Sequence, residues 1–279
     1  MTISEIFGDP IIRGIVFRAL TVGILVSLCA AVLGVSLVLR RYSMIGDGLS
    51  HVGFFALSIA AALGLDASNS LEISIPIVIA AAFLLMKLTE TGVMRGDAAT
   101  AVVSTGAVAV GVVIFSFARG SMTADVCNSL FGSASVITLT DKDLYLSIGI
   151  SVLVIVLYLV FYHLIFAVTF DEAFARASGA RTGFCNLLIA MLTAVVIVVG
   201  MKLIGAIMIS ALVVFPALTA MRVSGSFRRV ISVAAVVSCA CFVIGFFAGC
   251  LLGLPTGPCV VIANLLVYLL CFVVRKAKS

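Results

Sequence analysis

The sequence predicts an all-α fold, a polytopic transmembrane helix bundle of about eight or nine spans. Of its 279 residues 63% are hydrophobic and only 10% charged, whereas soluble domains average about 25% charged. The mean hydropathy is +1.36. Apolar runs long enough to cross a bilayer follow one another from end to end, so residues 1–279 read as one transmembrane domain with no separate soluble part.

A span needs about 20 mainly apolar residues. On that ruler nine segments qualify: 14–39, 47–65, 71–88, 98–118, 143–169, 183–200, 202–220, 229–253 and 258–274. The first contains Arg18 and follows Arg13, and the acidic start Met1–Pro10 lacks the basic region of a signal peptide, so no cleavable signal is expected. The second opens on Asp47 and Gly48, the fourth follows Arg95-Gly-Asp97, and the fifth ends just before Asp171. The sixth and seventh meet at Lys202 with almost no loop, and Pro216 should kink the seventh or end its regular hydrogen bonding. In the eighth, Gly245, Gly249 and Gly253 recur every four residues, a ridge where another helix can approach closely.

Between the fourth and fifth spans, Gly120–Thr140 is the longest connection, with room for a short half-helix at Thr123–Phe131 shaping an outward vestibule. Basic residues collect in alternate connections: Arg40 and Arg41, Lys87 and Arg95, Arg176 and Arg181, Arg222, Arg228 and Arg229, and Arg275, Lys276 and Lys278. Those connections should be cytoplasmic, which places the N-terminus outside, although Arg13 and Arg18 pull the other way. The net charge of +5 is therefore a topology signal, and nucleic acid is not expected as a partner. The eight cysteines include no C-x-x-C pair and should be free buried thiols. Cys239 and Cys241, two apart, point to different helix faces and make a poor shared ligand set.

Asp47 and His51 carry the chemistry. Ionisable groups in an apolar span are costly and usually functional. Four residues apart on a helix, they can present a carboxylate oxygen and an imidazole nitrogen to one point. That is a two-ligand half-site suited to Zn²⁺ or Mn²⁺, whereas Cu⁺ would favour sulfur ligands. The spacing also fits a structural role, with Asp47 capping a helix that begins at Gly48 and His51 packed as a satisfied polar residue. Asn128, His163, Asn186, Lys202 and Asn264 are expected to pair locally or cap helix ends.

The segment Arg41-Tyr-Ser-Met-Ile-Gly-Asp-Gly-Leu-Ser-His51 resembles, nearly residue for residue, the second-helix motif of permeases in the zinc and manganese branch of ATP-binding-cassette importers. The resemblance implies that Asp47 and His51 line the metal pathway deep in the bundle; hydropathy puts Asp47 nearer the cytoplasmic end. Asp171-Glu-Ala-Phe-Ala-Arg-Ala-Ser-Gly179 is similar to the cytoplasmic segment by which such permeases contact their ATPase. The resemblance assigns that contact to Asp171, Glu172, Phe174, Ala175, Arg176 and Gly179. On physical grounds the segment is a short amphipathic helix with Phe174 as apolar anchor and Gly179 as C-terminal cap, or else an interfacial solvated loop. Lys202–Ala217 and Arg95-Gly-Asp97 also resemble family segments. Gly48 stands where Ala is commoner, and Val52-Gly-Phe-Phe55 replaces a stretch typical of manganese-type members, which leans the reading to zinc.

The resemblance implies a permease domain over the whole chain, no permanently bound cofactor, and zinc or manganese ions as transported substrate. It implies an ATPase subunit, an extracytoplasmic metal-binding protein and a second permease copy as partners, in a bacterial plasma membrane. The chain has no Gly-Lys dipeptide and hence no G-x-x-x-x-G-K-[ST] loop, so ATP hydrolysis must occur elsewhere. A permease for a siderophore or cobalamin is the nearest rival, though such cargo has no need of a D-x-x-x-H pair. An intramembrane enzyme lacks H-E-x-x-H and G-x-S-x-G motifs, and a gradient-driven carrier lacks the expected internal repeats.

Overall fold

A computed structural model describes residues 10–40, 43–64, 70–90, 96–119 and 141–278. Among them the chain is helical, with no strands: α1 (Pro10–Leu39), α2 (Ser43–Ala62), α3 (Ser70–Glu90), α4 (Gly96–Arg119), α5 (Asp141–Val160), α6 (Tyr162–Phe170), α7 (Glu172–Ala177), α8 (Thr182–Ile204), α9 (Ala206–Val223), α10 (Phe227–Leu252) and α11 (Thr256–Lys278). Eight of these are long and apolar enough to cross a membrane, and the bent pair α5–α6 makes up to nine. The expectations for Arg41, Arg95, Cys127, Asn128 and the Thr123–Phe131 half-helix lie outside the described residues.

The bundle is built around α1, which packs against α5, α8, α9 and α10. In its most apolar stretch 72% of the residues are buried, against 17% in α11, so α1 is the central post and α11 a peripheral span. Small residues let the posts touch: a side chain at Gly34 would run into the Val213 carbonyl of α9. The expected ridge on α10 is also used, since a Cβ on Gly245 would collide with the Val260 backbone of α11, and one on Gly249 would lie 3.0 Å from Thr256 Cα. Gly253 plays a different part. Its φ of +67° ends α10 in the left-handed conformation that glycine adopts without strain.

Two boundaries differ from the sequence reading. The sixth span does not stop before Lys202; α8 continues through it to Ile204, and the break comes at Gly205, whose φ of 99° is outside the range helices use. The segment 143–169, expected as one span, is two helices meeting at an angle of 67° after Val160. No proline or glycine marks that bend. Aromatic packing holds it instead: Phe161 meets Phe184 edge-on at 5.6 Å, while Tyr162 and Phe166 pack on Phe227 at 5.7 and 5.3 Å. Pro216 sits inside α9, which continues to Val223, so it does not end the helix.

Charge is neutralised where spans end. Arg18 Nη2 lies 2.8 Å from Asp141 Oδ1, pairing the start of α1 with the start of α5. Arg222 Nη2 donates to Tyr268 Oη at 3.1 Å, and its guanidinium carbon lies 4.6 Å from the Phe272 ring centre, tying the C-terminal ends of α9 and α11. Seven cysteines are described and all are free thiols. Cys241 is buried, while Cys239 turns to the Ser27 hydroxyl, so the two do not share a site.

Candidate functional site

Helix α2 carries the Asp-x-x-x-His pair. Ser43 starts the helix, so Asp47 lies one turn inside it and is not its N-cap, which removes the capping role. His51 lies a further turn along, and the two side chains meet: Nε2 is 3.6 Å from Oδ2. About half of the Asp47 side chain (47%) and about a quarter of the His51 side chain (28%) remain open. A ligand can reach both groups. The other ring nitrogen, His51 Nδ1, is buried with no hydrogen-bond partner among the described residues. Both residues belong to the first half of a 20-residue helix, nearer the end that follows the Arg40–Arg41 connection.

Glycines set α2 this close to its neighbours. A Cβ on Gly46 would lie 3.3 Å from Val213 Cγ1 of α9, one on Gly48 only 2.5 Å from Thr100 Cγ2 of α4, and one on Gly53 2.8 Å from Met201 Cε of α8. Gly46, Gly48 and Gly53 therefore face three helices, while the acid and the imidazole stay partly exposed. Ser210 of α9 joins them. Its hydroxyl donates to Ser50 Oγ at 3.2 Å, and Ser50 Oγ donates to the Asp47 carbonyl at 2.7 Å. Sequence reasoning passed over Ser210; the available signal was a lone hydroxyl in the aliphatic run Ala206–Phe215.

No group of three or more His, Cys, Asp or Glu side chains comes together among the described residues. Asp47 and His51 thus remain a two-ligand half-site within one copy, and a dication bound there needs further ligands from water or another chain. Of the other polar residues, Asn264 Nδ2 donates back to Val260 O at 2.9 Å, a local bond as expected. His163 is exposed and packs edge-on against Tyr162. Asn186 does more than pair locally, as its partners show.

The segment 171–179 folds as a capped helix and is not a loop. Asp171 accepts a bond from Phe174 N at 2.8 Å, starting α7. Gly179, at φ +83°, follows Ser178 and ends it, with Ala180 N reaching back to Ala175 O. Ala175 is buried, and Glu172 bonds inward: Oε2 accepts from Arg40 Nη2 at 3.2 Å, and Oε1 accepts from Asn186 Nδ2 at 3.2 Å and from Arg176 Nη2 at 3.0 Å. Arg40 Nη2 also donates to Asn186 Oδ1 at 2.6 Å. Phe174 is not an anchor on the bundle. It is 71% exposed, leaving an apolar ring on the outer face of α7 beside Arg176.

An apolar bundle of eight or nine spans, an accessible acid and imidazole on one span, and a short charged helix bonded to the bundle by Glu172 are the features of a membrane transport subunit. Residues 13–275 match the ABC 3 transport family, and the chain belongs to it. The chain is 26% identical to the manganese import system permease protein ScaB of Streptococcus gordonii over 261 residues, covering 94% of this chain and 91% of that one. It is 27% identical to the high-affinity zinc uptake system membrane protein ZnuB of Buchnera aphidicola over 250 residues, 90% of this chain and 94% of that one. Among solved structures, PsaBC from Streptococcus pneumoniae in complex with Fab matches with TM-score 0.83 at 25% identity, covering 97% of this chain and 94% of that one. The relatives are permease subunits, so the chain is a transport subunit, and in this family ATP is hydrolysed by a separate chain.

Proposed function

We propose that residues 1–279 form the membrane-spanning permease of an ATP-driven importer of divalent transition-metal ions, with zinc favoured over manganese, in a bacterial plasma membrane. One observation carries the reading: an accessible carboxylate and imidazole, 3.6 Å apart on one helix face, with no further protein ligand among the described residues. Two permease copies would bring two carboxylates and two imidazoles to a shared path, completing a four-ligand shell and balancing the ion's charge. Such a site must bind weakly enough to release its ion. An extracytoplasmic metal-binding protein would deliver the ion from outside. ATP binding and hydrolysis by partner subunits seated on the α7 segment (Asp171, Glu172, Phe174, Ala175, Arg176, Gly179) would drive the two bundles between outward and inward states. The preference for zinc rests on Val52-Gly-Phe-Phe55, since relatives named for both metals match this chain.

The test is ATP-dependent uptake of radioactive zinc and manganese into vesicles containing the permease, its ATPase and the delivery protein. The native chain is compared with Asp47→Ala and His51→Ala, with assembly of each variant checked by co-purification. Loss of uptake with assembly intact supports the path, and the ion taken up faster names the substrate. Uptake at the native rate in both variants refutes it.

A further inference from the structure

The bend at Phe161 opens a cavity of about 440 Å³ on the face formed by α1, α5, α6 and α10. Its volume falls in the range of about 300–1,000 Å³ typical of small-molecule sites. It is separate from the metal half-site, because α2 packs mainly on α3, α4, α8 and α9. Its lining is divided by polarity. Leu28, Val32 and Ile155 form an apolar end, while Tyr162, His163 and Arg228 gather at the other, where α5 gives way to α6 and α10 begins. The basic connection Arg222–Arg229 lies at that polar end, on the side read as cytoplasmic.

Arg228 is exposed and forms no salt bridge with a carboxylate among the described residues. A guanidinium at the edge of the hydrocarbon layer is stabilised by an anion, and it matches a phosphodiester through paired N–H donors. The wall beside it is built to last: Tyr158 Oη and Ser36 Oγ share a buried hydrogen bond of 2.9 Å, and Phe227 is held by Tyr162, Phe166 and Phe170 at 5.7, 5.3 and 5.7 Å. The bent α6 runs across the axis of α5 and leaves Phe166 and Phe170 exposed.

We infer that this cavity is a binding site for one anionic phospholipid, its phosphate on Arg228, with His163 and the Tyr162 hydroxyl alongside, and an acyl chain lying over Leu28, Val32 and Ile155. Basic pockets between spans on the cytoplasmic side recognise lipid headgroups in this way. The site does not depend on which ion the permease carries.

The test is native mass spectrometry of the delipidated permease–ATPase complex, titrated with phosphatidylglycerol or phosphatidylcholine of identical acyl chains. The native complex is expected to retain phosphatidylglycerol about fivefold more strongly, the effect of one basic residue near the headgroup. Arg228→Gln should erase that preference, Arg229→Gln should leave it, and Ile155→Trp, which fills the apolar end, should lower retention of both lipids. Equal retention of the two lipids by the native complex overturns the inference, as does an unchanged preference in Arg228→Gln or an equal loss in Arg229→Gln. If Arg228→Gln fails to assemble, His163→Gln is read in its place: a reduced preference supports the site and an unchanged one refutes it.

Discussion

Arg40 and Glu172 stand 132 residues apart in sequence and 3.2 Å apart in space, Nη2 to Oε2. The Arg40 side chain is only 8% exposed. Arg40 follows the last residue of α1 and precedes the connection into the metal-motif helix α2, while Glu172 is the first residue of α7. Asn186 of α8 bonds to both. The connection into α2 and the start of α7 are thus pinned to one cluster. Glu172→Gln removes the negative charge from a largely buried guanidinium, and a bond to a charged group is worth about 2 kcal/mol. The expected outcome is a lower thermal midpoint and less metal imported per ATP hydrolysed, both measured in the reconstituted complex. An unaltered ratio of transport to hydrolysis would show that the cluster only stabilises the fold.

The outer face of α7 makes the opposite prediction. Phe174 is exposed, so its ring does not support the bundle. Phe174→Ala should leave the thermal midpoint of the isolated permease within the range of ordinary surface substitutions, about 0.5 kcal/mol. Buried aromatic anchors dominate protein interfaces, so the same change should weaken ATPase co-purification at least about tenfold. Undiminished co-purification would remove Phe174 from the docking surface.

Most of this architecture was legible in the sequence because hydropathy is a local property. Each apolar run from 14–39 to 258–274 except 143–169 has one helix, since a span satisfies its own backbone and needs no distant partner to be recognised. The Asp47–His51 pair was legible for the same reason, both residues lying on one turn-spaced face. What escaped notice depends on tertiary contact. The bend after Val160 arises from aromatic rings of α8 and α10 pressing on α5 and α6, and the run itself holds no breaker. Phe174 read as an anchor from its apolarity alone, but which side of a six-residue helix faces the bundle is decided by Ala175 and Glu172 bonding inward. Ser210 and Arg40 act on residues more than 100 positions away, which no window along the chain can register.

Gly48 offers a packing test on α2. A methyl group there meets Thr100 Cγ2 at 2.5 Å, closer than any real contact allows. Overpacking of this kind costs about 1–3 kcal/mol. Gly48→Ala should therefore destabilise the permease even though alanine is the better helix former by about 1 kcal/mol. Thr100→Ser removes the clashing methyl, so the double variant should recover most of the loss in a thermal-melt cycle. Additive losses would mean that α2 and α4 do not meet where Gly48 and Thr100 place them.

Ser210 tests the site from its second layer. Its hydroxyl donates to Ser50 Oγ at 3.2 Å, and Ser50 Oγ donates in turn to the Asp47 carbonyl at 2.7 Å, so Ser210 steadies the turn that carries the acid without itself being a strong ligand for a dication. Groups that orient metal ligands change affinity by about 10–100-fold when removed. Ser210→Ala should raise the KM for metal uptake by roughly that factor while the complex assembles normally. Ser58→Ala is the matched control, because Ser58 Oγ bonds only back to Phe54 O of its own helix at 2.9 Å among the described contacts. It should leave the KM unchanged. A KM raised equally in both variants would trace the effect to loosened packing of α2, whereas a rise confined to Ser210→Ala would tie α9 to the ion's path through Asp47.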